Sequence, residues 1–401
     1  MARITWHGMS GALAWVGAAG VAAFYAEVAR RTLGAPDTTE VAAMNPASGV
    51  SGIRADSDET PLVSIILPAR NEERNVRGCV ESLLAQDYPR FEVIVVDDAS
   101  ADATPVILGE MQREQPAGGR MRVVRVETLP EGWAGKPHAL HCGVAHAHGD
   151  WLLFTDADTR HMPHALSAAM QVAVTHGDDL LSLGTQQDVP DFWGRVLMPL
   201  AYTGIAMMYP PKQVNDPRSA VAIANGQYIL LRRRMYDRVG GYAAPGLRGT
   251  VLDDRDLAQQ VKRAGARMEM IDGRSLVATR MYQTLGEHWD GWGKNAYAGS
   301  RGGLPFYVLM IVGLPTVTIA PFALLLAGIV ARRGRFALPG AVAATSMVVY
   351  RARVQRGMRV PLRYVWTQPL AGAIFTGILI RSFWRVVTGR GVVWRGRTIH
   401  M

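Results

Sequence analysis

Apolar and polar residues divide this chain into three stretches with different rhythms. The first is one long apolar run, Gly8 to Ala29, closed by Arg30 and Arg31. At 1.5 Å per helical residue it is long enough to cross a hydrocarbon core of ~30 Å. A retained membrane helix and a cleaved leader both begin this way. Only Arg3 precedes the run, so the basic start of a leader is missing and the retained helix is favoured, giving an N-terminal membrane helix over residues 1–33. The arginines after the run place the next part of the chain on the cytoplasmic side. Residues 34–60 are small residues, prolines and acids without apolar period, and read as a linker.

From residue 61 the rhythm changes. Pro61 to Leu67 is a short apolar stretch ending at Pro68, the pattern of a strand buried on both faces. Asn75 to Ala85 has helical spacing, with Val76, Cys79, Val80, Leu83 and Leu84 on one side. Phe91 to Val96 is a second buried strand, running into Asp97 and Asp98. A helix, a strand (Met121 to Val126), a helix (His138 to Ala147) and a strand (Asp150 to Thr155) continue the alternation. Such alternation predicts an α/β domain, a doubly wound and mostly parallel sheet with helices on both faces, over residues 61–285. Polar groups at the carboxyl ends of the strands are then the place to look for chemistry.

The third stretch is apolar again. Residues 286–303 are an aromatic, polar interfacial segment, and residues 304–401 a second membrane region. Leu304 to Ala331 reads as a membrane helix kinked by Pro305, Pro315 and Pro321. Phe336 to Tyr350 is short for a span, and Val365 to Val387 is a third candidate interrupted by Arg381 and Arg385. Arg351, Arg353, Arg356, Arg359 and Arg363 form a basic cluster expected on the cytoplasmic face. These features predict a multi-pass protein of the cell inner membrane with its polar domain in the cytoplasm.

Charge supports that division. The net charge is +9, yet residues 301–401 hold 14 Arg and no Lys, Asp or Glu, while residues 1–300 hold 29 basic and 34 acidic side chains. The basic excess flanks apolar stretches, as membrane anchors do, and the polar domain lacks the basic, aromatic surface of a nucleic-acid binder. Cys79 and Cys142 have no C-x-x-C spacing; they read as core thiols in a reducing compartment. The histidines at 138, 141, 146 and 148 have no zinc-site spacing.

Three acidic motifs stand out. At the first two strand ends, Pro68-Ala69-Arg70-Asn71-Glu72-Glu73 and Val95-Val96-Asp97-Asp98-Ala99-Ser100 can floor a crevice for a base and ribose, whose N–H and hydroxyl groups donate to carboxylates. They can equally be loop residues and helix caps, Ser100 and Asp102 among them. Next comes Asp156-Ala157-Asp158 at the end of a buried strand. In extended backbone both carboxylates point the same way and demand a cation between them. Mg²⁺ or Mn²⁺ takes one or two carboxylates together with substrate phosphates. The third is Asp253-Asp254-Arg255-Asp256 opening a helix, where the helix dipole accounts for one or two acids but less easily for an adjacent pair. A positioned carboxylate there could serve as a general base. Two weaker signals accompany them. Gly132-Trp133-Ala134-Gly135-Lys136 offers close backbone approach and one cation for a phosphate, or is a plain surface loop. His288, Trp289, Trp292, Lys294 and Asn295 suit either an acceptor-binding surface or interfacial anchoring.

In order, these motifs resemble the inverting glycosyltransferases of family 2, which have the GT-A fold. The pieces are Ser64 to Glu72, Val95 to Thr104, Gly135-Lys136, Thr155 to Asp158 and Asp253-Asp254, spread over about residues 61 to 300. The resemblance implies a nucleotide-sugar donor, a UDP-sugar in the first instance. Its base would be held at Asp98 and its diphosphate, with Mg²⁺ or Mn²⁺, at Asp156 and Asp158. It makes Asp254 the catalytic base, with Asp253 standing where the family usually has Glu. Pro68, Ala69, Arg70, Glu72, Asp97, Gly135 and Lys136 complete the donor side. The Q-x-x-R-W motif of processive synthases is absent; Trp292-Gly-Lys-Asn-Ala-Tyr297 stands in its region. That stretch, together with Val393-Trp-Arg-Gly-Arg397, is similar to the membrane-associated branch linked to hopanoid and carotenoid glycosylation, which implies a lipid or isoprenoid acceptor. The alternatives are a processive polysaccharide synthase and a non-catalytic nucleotide-sugar-binding membrane protein. No G-x-G-x-x-G follows the first strand, which argues against a dinucleotide enzyme.

Overall fold

The computed structural model describes residues 6–32, 60–116, 118–298, 303–394 and 397–399. The linker segment lies outside them except for Thr60, as do Arg395 and Gly396 of the terminal motif. The described residues group into two compact units. One comprises residues 60–188 and 211–281, the other 6–32, 189–210 and 282–399.

The first unit is built on strands β1 (Val63–Ala69), β2 (Phe91–Asp98), β3 (Met121–Val126), β4 (Trp151–Phe154), β5 (Thr159–His161), β6 (Leu180–Gly184), β7 (Gln186–Gln187), β8 (Ile229–Arg232), β9 (Met268–Asp272) and β10 (Val277–Thr279). Seven form one sheet in the order β3-β2-β1-β4-β8-β6-β9. The β3-β2-β1-β4 half is parallel, as the alternating pattern predicts. β8 enters antiparallel between β4 and β6, and β9 pairs parallel with β6, so the sheet as a whole is mixed. β5, β10 and β7 make a small second sheet.

β1 explains how proline sits in a central strand. β4 pairs with β1 only as far as Ile66 opposite Phe154, while β2 continues to Ala69 opposite Asp97. Pro68 therefore lies beyond the β4 ladder, where its missing N–H leaves no gap on that side. Val76, Cys79, Val80 and Leu83 of helix Val76–Leu84 are buried, the i, i+3, i+4, i+7 stripe of the sequence. They join Ile65, Leu67, Val93, Val95, Leu153, Leu181 and Leu230 in the main core. Cys79 is buried there and Cys142 is half-buried, and both thiols are free.

The second unit is helical: Trp6–Thr32, Phe192–Met208, Leu285–Ala298, Gly303–Thr318, Ala320–Val330, Gly334–Gly357 and Gln368–Val387. Ser10–Thr32 and Leu362–Val387 are each long and apolar enough to cross a membrane, and Pro305–Thr318 with Ala320–Val330 makes a third span if the bent pair is one. The bend is 44° and has a definite cause. Pro321 has no N–H to donate to the Val317 carbonyl four residues back. The Tyr25 hydroxyl donates to that carbonyl instead, at 2.9 Å.

Gly334–Gly357 is one continuous helix that contains the short Phe336 to Tyr350 stretch. It packs closely on Ala320–Val330 through two glycines. A Cβ on Gly340 would lie 2.4 Å from the Leu325 nitrogen, and one on Gly328 would lie 2.2 Å from that of Ala337. Small residues at such crossings let helix backbones approach. Gly340→Val should therefore force the pair apart and destabilise the protein by about 1–3 kcal/mol, read as a lower melting temperature in detergent.

Arg351 departs from the expected cytoplasmic cluster. It is 2% exposed, its guanidinium donating to the Val196 carbonyl at 2.9 Å, to Thr367 Oγ1 at 3.1 Å and to the Gln368 side chain. The sequence shows five similar arginines; only the fold reveals that one of them faces carbonyls.

Candidate active site

The loops after β1 and β2 are stitched together by reciprocal hydrogen bonds. Ser100 Oγ accepts from the Asn71 N–H at 3.0 Å, and Asn71 Oδ1 accepts from the Ala101 N–H at 2.8 Å. Thr104 Oγ1 accepts from the Glu72 N–H, Asp102 Oδ2 accepts from the Glu73 N–H, and Glu73 Oε2 accepts from the Ala103 N–H across the same gap. Asn71 and Ala99 hold φ of +53° and +49°, a left-handed conformation rare for residues with a Cβ. Such backbone persists where its surroundings impose it, and these strand ends do so.

The residues of these loops divide into two groups. Pro68 and Ala69 are the last residues of β1, and Glu72 accepts from the Asn75 amide, so it caps its own turn. Asp97, 1% exposed, pairs with Arg125 at 3.0 Å and accepts from the Ser100 N–H, a brace within the loop. Asp98 is also buried, and Arg70 reaches over it, donating to its carbonyl at 2.5 Å with a guanidinium nitrogen 4.0 Å from its carboxylate. Helix Gly135–Val144 packs on β2, and the charge of Asp98 adds to burial in raising the Cys142 thiol of that helix above its usual range.

Lys136, the second residue of the same helix, is the centre of the acidic constellation. Lys136 Nζ is 2.8 Å from Asp156 and 3.4 Å from Asp253. Asp254 is adjacent: its Oδ2 accepts from the Gly226 N–H at 3.2 Å, and its Oδ1 from the Arg255 N–H at 2.7 Å. A Cβ on Gly226 would stand 3.0 Å from Lys136 Nζ and 3.4 Å from Asp254 Oδ2, so Gly226 leaves the room that both side chains use. Burial alone would pull the ammonium pKa down, but Asp156, Asp253 and Asp254 outweigh it and hold it well above the usual range. Lys136 and Asp156 are each about one-third exposed, at 33% and 31%, whereas Asp253 is 8% exposed. Asp256, one turn further into the helix, is tied to Thr250 and Arg255.

Asp156 and Asp158 occupy a turn between β4 and β5 rather than extended strand. Thr159 closes it, its N–H and Oγ1 both donating to the Asp156 carbonyl. Asp158 is turned toward Thr279 of β10, whose Oγ1 lies 3.4 Å from its carboxylate. Asp156 thus faces the Lys136 ammonium and Asp158 faces Thr279, and the carboxylate oxygens of both are donors of the kind a hard divalent ion takes.

Beneath this turn is a buried polar cluster. Thr155 Oγ1 donates to the Gln227 carbonyl at 2.8 Å, and His161 Nε2 lies 3.0–3.1 Å from both Thr155 and Thr159 hydroxyls. Burial, helped by the charge of Arg160, pushes the His161 pKa down to about 3 from 6.5. Between those values the unfolded chain takes up a proton that the folded site refuses. Stability therefore falls as pH drops through that window, by at most about 1.4 kcal/mol per pH unit. Melting temperatures measured from neutral pH downward should show this decline, and His161→Gln should flatten it.

Known proteins bear on this arrangement. Residues 64–240 match the family model described as Glycosyl transferase family 2. Over those residues the chain is similar to that family. The chain is 27% identical over 345 residues to the 4,4'-diaponeurosporenoate glycosyltransferase of Staphylococcus aureus (strain MRSA252), covering 84% of the chain and 87% of that relative. It is 29% identical over 201 residues to the beta-monoglucosyldiacylglycerol synthase of Synechocystis sp., covering 49% of the chain and 39% of that relative. Among solved structures, the mannosyltransferase PcManGT from Pyrobaculum calidifontis, in complex with GDP-Man and Mn²⁺, superimposes with a TM-score of 0.53 at 18% identity. That match covers 94% of this chain and 98% of the other, and it shows the shared GT-A fold.

Sequence reasoning missed two residues at the acidic centre. One is Gly226. The other is Tyr242, fully buried, with no hydrogen-bond partner for its hydroxyl among the described residues. Burial raises its pKa well above the usual value, and Asp253, Asp254 and Asp156 contribute to the rise, which places its hydroxyl in their field. The available signal was Gly240-Gly241 just before it, since Gly241 leaves no room for a Cβ against the Tyr236 ring.

The Leu285–Ala298 helix of the helical unit carries the aromatic segment. Trp292, 9% exposed, packs against Phe375 and Tyr282, so it is an internal residue of that unit. Trp289 lies over Gly377, and Trp289, Lys294 and Asn295 are half-buried. Asp290 pairs with Arg381 at 2.9 Å.

Proposed function

We propose that this enzyme is a membrane-anchored, inverting transferase that moves one sugar from a nucleotide-sugar donor, a UDP-sugar, to a hydroxyl of a lipid or isoprenoid acceptor. The observation that carries the reading is the meeting of Lys136 with Asp156, Asp253 and Asp254 at the carboxyl edge of the parallel half-sheet. Asp98, held beneath Arg70, takes the base and ribose side of the donor. Asp156 and Asp158 hold Mg²⁺ or Mn²⁺, which when bound neutralises charge on the departing diphosphate. Lys136 is placed to move from the acids to a phosphate oxygen, keeping a cation where negative charge develops.

Asp254 takes the proton. Each of its oxygens already accepts one backbone N–H, which fixes the carboxylate and leaves a further lone pair on each oxygen. As the acceptor oxygen bonds to the anomeric carbon, its proton passes to Asp254. The bond from that carbon to the diphosphate breaks, its electron pair leaving on the phosphate oxygen. One displacement inverts the anomeric centre.

Large apolar side chains exposed on the helical unit, among them Leu13, Val16, Leu309, Val312, Leu326 and Trp384, support anchoring in a bilayer. The half-buried Trp289, Lys294 and Asn295 serve the acceptor side, and Trp292 holds their helix in place. The relatives' names, a diaponeurosporenoate transferase and a diacylglycerol-glycoside synthase, point the same way. The test is incubation of purified protein with a panel of nucleotide sugars and extracted membrane lipids, with products read by mass. One added sugar per lipid is expected; a ladder of additions, or free sugar alone, would refute it.

A further inference from the structure

A second cluster of ligating side chains lies at the opposite end of β6 from the acidic centre. His176 is the last residue of helix Ala165–His176. Gly177, at φ +70°, reverses the chain, and Asp178 follows just before β6. Glu269 is the second residue of β9, the edge strand, opposite Leu181. Helix end, turn and edge strand thus bring one imidazole and two carboxylates together. One ligand atom from each can be chosen so that all three lie within 4.8 Å of one another.

The hydrogen bonding leaves these groups incompletely used. His176 Nδ1 is 2.9 Å from Glu269 Oε2. Arg267 takes the other oxygens, donating to Asp178 Oδ1 at 3.2 Å and to Glu269 Oε1 at 3.3 Å. Asp178 is fully buried, and its Oδ2 has no hydrogen-bond partner among the described residues. A buried carboxylate oxygen without a partner is costly, and native proteins rarely leave one. Arg267 is already committed to Oδ1, so the leftover oxygen needs another positive group.

We propose that His176, Asp178 and Glu269 form a divalent-metal site, suited to Zn²⁺, that clamps the edge strand to the neighbouring helix. One imidazole nitrogen and two carboxylate oxygens are a donor set Zn²⁺ accepts at about 2.0–2.2 Å, which sets tetrahedral ligand atoms roughly 3.4 Å apart. The present arrangement reaches that by small side-chain rotations. Zn²⁺ takes the place of the proton shared by His176 and Glu269 and satisfies Asp178 Oδ2. Two carboxylates balance its charge while Arg267 keeps its outer oxygens. His176 is 34% exposed, which leaves a solvent side for water as fourth ligand. The site is separate from the donor site and does not depend on the transferase mechanism. Its role is structural, since among the described residues β9 pairs with a strand on one side only.

The test uses full-length protein in detergent, stripped with chelator and titrated with Zn²⁺ by calorimetry, beside His176→Gln, Glu269→Gln and the double variant Asp156→Asn/Asp158→Asn. One Zn²⁺ per chain should persist in the double variant and disappear in the other two. Zn²⁺ should also raise the melting temperature of wild type but not of His176→Gln, and Co²⁺ should give tetrahedral visible absorption only where His176 is present. Unchanged stoichiometry in both single variants, or loss of all Zn²⁺ binding in the double variant, would overturn the proposal. If a single variant melts early without metal, the Co²⁺ spectrum of the Asp156→Asn/Asp158→Asn variant decides alone: an octahedral spectrum rules the site out.

Discussion

Asp254→Asn is expected to lower transfer by roughly 10²–10⁴-fold or more while leaving nucleotide binding nearly intact. The asymmetry follows from where Asp254 sits. An acceptor alcohol is a weak nucleophile until its proton has somewhere to go, and Asn has no basic oxygen to receive it. The substitution keeps the size of the side chain and one acceptor oxygen, so the start of helix Asp253–Arg263 persists. Lys136 retains Asp156 and Asp253 at 2.8 and 3.4 Å, and the cationic centre stays assembled. The measurement is kcat with a saturating donor, paired with nucleotide affinity. Unchanged turnover would remove Asp254 from the mechanism; equal losses in both quantities would mark it as a binding residue.

Lys136→Met carries the second large effect, of the opposite kind. It leaves Asp156, Asp253 and Asp254 without their shared cation, so like charges face one another at the head of helix Gly135–Val144. The nucleoside diphosphate also loses a charge-assisted partner, and its Kd should rise by at least about tenfold, equivalent to about 1.4 kcal/mol. The melting temperature of the donor-free protein should fall as well. Lys136→Arg should not restore binding, because a planar fork cannot occupy the point between Asp156 and Asp253 that one ammonium fills. Calorimetry with wild type and both variants checks this, and equal affinities in all three would show that Lys136 does not touch the diphosphate.

What the sequence made legible was the half-sheet and its acids. β1 and β2 are short, mostly apolar runs between turn residues, too short for a buried helix and without the alternation of a half-exposed strand. β8 was invisible by the same logic: its four residues, Ile229–Arg232, are too short to show a pattern, and its antiparallel entry is a tertiary decision. Helix Phe192–Met208 was not singled out either; it has Pro199 inside it, a residue that normally argues against helix. At the centre, the acids were legible and the way they are balanced was not. Lys136 is one cation in a glycine-rich stretch, and nothing local says that Asp156 and Asp253, residues far from it in the chain, will close on it. Gly226 and Tyr242 are further from legibility, because their importance lies in what a missing Cβ permits and in where a buried hydroxyl ends up. Arg351 is the same case in the helical unit, since its neighbours in sequence look alike and only its packing differs.

The central claim is that the acids around Lys136 receive a sugar-nucleotide diphosphate together with a divalent ion. Its most direct test is calorimetric titration of UDP into wild type and Asp156→Asn/Asp158→Asn, each with Mn²⁺ and with chelator. Strong binding is expected only from wild type with Mn²⁺. Equal binding with and without the ion, or full Mn²⁺-dependent binding by the double variant, would contradict it.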